Sequence, residues 1–250
     1  MKSTSWENVE DWYKDHVGLK GSYYHENVVI PNLIRLLDLK ANSSLLDLAC
    51  GQGIVERAIP EITRYAGYDL SKSLIEFAQE NARNPKHIFK VGDVSKPITD
   101  TPKFSNATTV LALQNIKDYD QVIANAANNL TENGVYILVI NHPYYRIPRY
   151  SSWEIDSKND IQFRRVDKYM ISEDLKIAAN PSKGIDSETT VTYHNTLEAY
   201  TKSLMKHGLV IQKIEEWVSN KKSYGAHADR ENRARKEFPL FMAIVCKKLA

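Results

Sequence analysis

The sequence predicts an α/β protein that binds its ligand along the carboxyl edge of a largely parallel sheet. Three observations predict it. Residues 45–53, LLDLACGQG, carry a short apolar run into an acid and a tight glycine pair, Gly51 and Gly53, with a helix-compatible run at 54–59 directly behind. That order reads as buried strand, glycine turn and helix N-terminus. Two more apolar runs, 64–70 and 87–93, also end in acids, Asp69 and Asp93. Finally, strand-like and helix-like segments alternate over most of the chain.

The elements follow in order. Residues 5–40 are aromatic and amphipathic, with Trp6, Trp12, Tyr13, Tyr23 and Tyr24, and apolar positions at helical spacing over 28–37 predict helices that lie over the ligand edge. Strand one spans 44–48, strand two 64–70 and strand three 87–93. Strand four is expected at 108–115, and strand five at 134–141 after the Glu132-Asn133-Gly134 turn. Helices are expected at 71–84 and 118–130, the latter packing Val122, Ile123, Ala126 and Leu130. The Tyr-, Arg- and Trp-rich stretch 142–194 breaks the alternation. It is too long for a simple connection, and strand spacing over 162–171 predicts an added hairpin. A last helix at 196–207 and two final strands at 210–217 and 238–247 follow, separated by a charged helical excursion at 227–236.

The acid at Asp47 favours a ligand with a positive amino-acid end over a phosphate. A dinucleotide site would also need a third glycine, where Glu56 stands. Singly, Asp47, Asp69 and Asp93 would each serve as a helix cap or turn residue. Three acids at three successive strand ends, on the edge where open α/β sheets bind ligands, point to one site.

The stretch Asp47-Leu-Ala-Cys-Gly-Gln-Gly53 resembles motif I of the class I S-adenosylmethionine-dependent methyltransferases, with Ala49 in place of the family's first glycine. Further segments are similar to a small-molecule subgroup of that family, and they extend the resemblance over nearly the whole chain. They are GSYYH at 21–25, LQNI at 113–116, His142-Pro143, RIPR at 146–149, Ser152-Trp153 and RRVD at 164–167. The resemblance implies a Rossmann-like seven-stranded mixed sheet with helices on both faces and the last strand antiparallel. Around it lie an N-terminal helical cap over 1–40 and a substrate lid over 143–193, within a single domain of 1–250. It implies S-adenosylmethionine as cofactor, held by Tyr24, Asp47, Ala49, Gly51, Gly53, Asp69, Leu70, Asp93, Val94 and Gln114. Asp69 is placed to accept from both ribose hydroxyls and Asp93 to meet the adenine.

Methyl transfer asks the protein to align a nucleophile and, where the acceptor is protic, to take up a proton. The candidate bases are His142 directly after strand five, His25 in the cap and His194 at the end of the insertion. A lone histidine serves structure more often than catalysis. Asn115, Arg146, Arg149, Trp153 and Arg165 are candidate acceptor contacts. The arginines either clamp an anionic group or pair internally with Glu154, Asp156 and Asp167. The strand-four tip LQNI lacks the Asn/Asp-Pro-Pro signature of nucleobase amine methylation, and no metal-ligand spacing is seen.

Composition bounds the remainder. The 250 residues carry a net charge of +2 and two cysteines, Cys50 and Cys246, expected as free thiols. No apolar run is long enough to cross a bilayer, and a polar N-terminus unlike a signal peptide makes a cytoplasmic location the expectation. The expected function is methylation of oxygen or nitrogen on a small molecule, anionic if the arginines face it. A tRNA or rRNA methyltransferase and a non-catalytic cofactor-binding protein are the rivals; nucleic acid and membrane are disfavoured as partners, and a homodimer is left open.

Overall fold

A computed structural model describes residues 18–100, 102–178 and 189–249. The early part of the expected cap, with Trp6, Trp12 and Tyr13, lies outside the described residues.

Seven strands form one sheet: β1 (Ser44–Leu48), β2 (Arg64–Asp69), β3 (Ile88–Val91), β4 (Phe104–Val110), β5 (Leu130–Asn141), β10 (Leu209–Val218) and β11 (Pro239–Lys248), in the order β10-β11-β5-β4-β1-β2-β3. Neighbours from β5 to β3 are parallel, and β11 runs antiparallel to both β5 and β10. Period-two alternation sends successive residues of β1 to opposite faces. Leu46 and Leu48 enter a core with Phe104, Ile123, Leu138 and Leu204. Leu45 enters the other, with Val29, Leu33, Tyr65, Phe89 and Ile137.

Helices cover both faces. On one lie α1 (Ile30–Leu37), α2 (Ile54–Ala58) and α3 (Lys72–Glu80); on the other lie α4 (Tyr119–Asn129) and α5 (Leu197–Lys206). Side chains cap three of them. Ser71 Oγ accepts from Leu74 N at 3.2 Å, Asp118 Oδ1 from Gln121 N at 3.2 Å, and Thr196 Oγ1 from Ala199 N at 3.1 Å. A sixth helix, α6 (Ala228–Glu237), matches the charged excursion, which is helical and mostly solvated.

Three expectations are corrected. Strand four begins at Phe104 and stops at Val110, and Leu113–Asn115 is a 3₁₀ turn beyond its tip. The early residues Ser105 and Asn106 are polar, and their side chains bond to Ser44, so burial of apolar residues alone misplaced the start. The cap over 28–37 opens with a π-helical turn, His25–Val29, before α1. The insertion holds two hairpins: β6 (Ser151–Asp156) with β7 (Ile161–Val166), and β8 (Glu173–Ala178) with β9 (Thr189–His194). Lys168–Ile171, read as strand, lies in the turn between them.

Candidate active site

The loop after β1 turns through three left-handed residues, Ala49 (φ 59°), Gly51 (φ 53°) and Gly53 (φ 79°). Only glycine takes that region without cost, so the pair is demanded by the turn itself. Gly53 is also pressed against its surroundings: a Cβ there would lie 3.1 Å from Ala78 Cβ and from Phe89 Cε1. Gly51 differs. A Cβ on it would meet nothing within 4 Å, leaving an open cradle in the loop for a ligand.

Asp69 fastens this loop. Its Oδ2 accepts from Gly51 N at 2.8 Å and its Oδ1 from Ser71 N at 3.0 Å. Asp93 turns on Ser95, accepting from its N at 2.9 Å and its Oγ at 2.6 Å. Both carboxylates stay half-exposed at the strand ends, where they were expected.

Asp47 is corrected. It is 1 % exposed and lies beneath the loop, its Oδ2 accepting from the Tyr65 hydroxyl at 2.8 Å. Alternation along β1 turns residue 47 toward Tyr65 and Cys50. Burial, with the nearby Asp69 charge, pushes its carboxyl up to about 7 against the Tyr65 bond. Burial and these carboxylates also hold the Cys50 thiol well above its ordinary range, so Cys50 is no nucleophile. Val94 packs into the core, leaving only its backbone for a ligand, while Leu70 is exposed.

The cap is laced over the loop by residues that the sequence did not single out. Gln52 Nε2 donates to the Gly18 carbonyl, and Arg57 donates to Leu19 O at 3.0 Å and to Gln52 O at 2.6 Å. Tyr24 turns its hydroxyl to Ser219 Oγ at 3.1 Å, and its ring packs on Phe241. His25 Nδ1 lies 2.9 Å from Ser22 Oγ within the cap.

Beside the loop, the tips of β4 and β5 and the insertion border a narrow cleft lined by Gln114, Asn141, Arg146, Thr192, His194 and Tyr200, among others. Thr192 Oγ1 donates to the Gln114 carbonyl at 3.1 Å, joining lid to strand tip. Gln114 Nε2 donates to Leu111 O at 2.6 Å, and its Oε1 is buried with no protein partner. Thr190, Thr192 and His194 are the buried positions of β9, an alternation that would have flagged Thr192.

Of the three candidate bases, the structure brings His194 alone to the cleft. His142 is held on both nitrogens: Tyr144 N–H donates to Nδ1 at 3.2 Å, so Nε2 carries the proton toward Glu216 Oε1 at 2.7 Å. No lone pair remains to take up a substrate proton.

The arginines divide in the same way. Arg164 donates to Tyr145 O and Ser151 Oγ and stacks over the Tyr145 ring, Arg149 donates to Lys176 O at 3.1 Å, and Arg165 lies 4.0 Å from Asp167. Trp153 packs on Tyr145 and Phe238, and neither it nor Asn115 lines the cleft. Arg146 lines it, without an acidic partner among the described residues. Arg146 is exposed to solvent, and desolvation by the protein around it lowers its pKa.

These strand ends in this sheet order have the architecture of the class I S-adenosylmethionine-dependent methyltransferases. Residues 46–138, covering the glycine loop, both strand-end acids and Gln114, match the methyltransferase domain family model. The fold is similar to a methyltransferase from Mesorhizobium loti, with a TM-score of 0.70, 19 % identity, and 92 % of this chain and 100 % of that one covered. It is likewise similar to one from Listeria monocytogenes, with a TM-score of 0.69, 19 % identity, and 88 % and 97 % covered. A Haloferax volcanii methyltransferase solved with a methyltransferase activator gives a TM-score of 0.67 at 13 % identity over 99 % and 98 %. Comparison with curated protein sequences gives no match. Residues 46–138 thus match a methyltransferase domain, and the chain has the fold of proteins that use S-adenosylmethionine as cofactor.

The residues present fit that cofactor. Gly51 leaves room for close backbone approach, Asp69 and Asp93 offer carboxylates to hydroxyls and amines, and the Gln114 oxygen is buried and unpartnered. Among the described residues, no helix is long and apolar enough to cross a membrane and no side-chain cluster could hold a metal ion.

Proposed function

We propose that this protein transfers the methyl group of S-adenosylmethionine to an oxygen or nitrogen of a small anionic molecule bound in the cleft between the β4 and β5 tips and the insertion. One observation carries this reading. Arg146 is the cation of the cleft, and no acid among the described residues neutralises it. An exposed guanidinium at a cleft, with no acid among the described residues to neutralise it, is open to a carboxylate or phosphate, which it binds bidentately.

The bound cofactor supplies an activated methyl group on a sulfonium. The protein supplies position. The glycine loop and Asp69 fix one reactant at the end of β1 and β2. Arg146 and the cleft walls fix the other one strand away, at the tips of β4 and β5. The Thr192–Gln114 bond ties the two halves together, so that alignment lowers the barrier without a covalent intermediate on the enzyme.

The test is incubation with methyl-labelled S-adenosylmethionine and a cell extract separated into small-molecule, RNA and protein fractions. Label in the small-molecule fraction supports the reading. Label in RNA favours the nucleic-acid rival, and cofactor binding with no transfer favours a non-catalytic role.

A further inference from the structure

The geometry points to His194 as the group that takes the proton from the acceptor, its tautomer fixed by the backbone carbonyl of Tyr169, so that the acceptor atom is a protic hydroxyl or ammonium. This assignment rests on the small-molecule reading above and adds the chemistry of the atom methylated.

His194 is 6 % exposed, and it lines the cleft together with Arg146. Its Nε2 lies 2.8 Å from Tyr169 O. A carbonyl oxygen only accepts, so Nε2 carries the ring proton and Nδ1 holds a lone pair. Nδ1 has no hydrogen-bond partner among the described residues, and it is not one of the buried atoms sealed without a partner. A neutral imidazole clamped through one nitrogen, with the other open to the cleft, is the arrangement a general base requires. His142 shows the contrast, with both nitrogens spent on protein.

Tyr169 is held in turn. Its hydroxyl accepts from Leu197 N at 3.0 Å at the start of α5, and its ring meets the His194 ring edge-on at 5.7 Å. The carbonyl that sets the tautomer is thus anchored to a helix, making Tyr169 a positioning residue. The titratable neighbours of His194 are Arg146, Tyr193 and Tyr200 along the cleft, Tyr169 against its ring and Glu173 opposite it on β8.

The step balances without another reactant. The acceptor oxygen or nitrogen forms its bond to the methyl carbon as the carbon–sulfur bond breaks, and that electron pair stays on sulfur, cancelling the sulfonium charge. The acceptor proton passes to Nδ1, during attack for a hydroxyl and before it for an ammonium, whose nitrogen gains its lone pair only then, and the imidazolium later returns the proton to water.

The experiment follows labelled methyl transfer into the small-molecule fraction of a cell extract by wild type, His194→Gln and His194→Ala, with calorimetry of S-adenosylmethionine binding on each. Glutamine keeps a donor for the Tyr169 carbonyl and supplies no base, so it separates folding from catalysis. We expect cofactor binding unchanged within about twofold and transfer reduced by about 10²–10⁴-fold in both variants, the range for general-base catalysis. The wild-type rate should fall with acid pH while the residual rate of His194→Gln does not, and added imidazole should restore part of the His194→Ala activity. Wild-type transfer that His194→Gln retains at full rate, with the same pH profile, overturns the assignment alone. Failure of the wild type to label the small-molecule fraction overturns the reading beneath it, and the assignment with it.

Discussion

The Tyr65 hydroxyl donates to Asp47 Oδ2 at 2.8 Å beneath the glycine loop, and both residues are shut off from solvent. The acid that opens the glycine-loop motif therefore braces the loop from below. Burial is the largest influence on this carboxyl and raises it to about 7, with Asp69 adding to the rise and the Tyr65 bond opposing it.

A pH dependence of stability follows. The folded pKa lies above the ordinary value of 3.8, so folding takes up a proton between them. The stability contributed by protonated Asp47 is full below about pH 4 and is lost as pH rises to about 7. At about 1.36 kcal/mol for each pKa unit, the loss is at most about 4 kcal/mol. Urea unfolding of wild type and Asp47→Asn at pH 5 and pH 8 checks this. The difference between the two proteins should shift in favour of Asp47→Asn at the higher pH, and a constant difference would contradict it. Tyr65→Phe should cost about 1–3 kcal/mol, more at pH 8, because it strips the buried carboxylate of its donor.

Asp69 carries the next prediction. It holds Gly51 N and Ser71 N at the end of β2, and in the proposed reading its carboxylate also accepts from the ribose hydroxyls. Asp69→Ala should weaken S-adenosylmethionine binding by about 1.5–3 kcal/mol, the range for hydrogen bonds to a charged group. Calorimetry that shows undiminished affinity would remove the ribose assignment.

The arginines give a comparison within one lid. Arg146→Met should raise the Michaelis constant for the acceptor about tenfold or more while leaving the melting temperature and cofactor affinity near wild type. Arg149→Ala and Arg165→Ala should leave that constant unchanged, because their partners are Lys176 O and Asp167. Arg164→Ala should lower the melting temperature, since it removes bonds to Tyr145 O and Ser151 and a stacked ring. Equal effects of all four on acceptor kinetics would contradict the division.

The strands and the acids at the ends of β2 and β3 were legible because each rests on local signals: apolar runs of strand length, positive-φ glycines, and acids that close those runs. Asp47 shows the limit. Its position at a strand end was readable, but the face it turns to depends on where the exposed residue of the pleat falls, and Tyr65, its partner, lies on another strand. The division among the arginines was unreadable for the same reason. Arg146 and Arg149 are three residues apart in one motif, and only the fold separates the one aimed into the cleft from the one that bonds to β8. His142 and His194 differed from each other only in their partners, Glu216 and the Tyr169 carbonyl, both distant in sequence.

The central claim is that Arg146 selects an anionic small molecule for methylation. The most direct measurement separates a small-molecule extract by charge into anionic, neutral and cationic pools and supplies each with methyl-labelled S-adenosylmethionine and enzyme. Wild type should label the anionic pool, and Arg146→Met should lose most of that label while binding the cofactor normally. Label confined to the neutral or cationic pool, or undiminished by Arg146→Met, would contradict it.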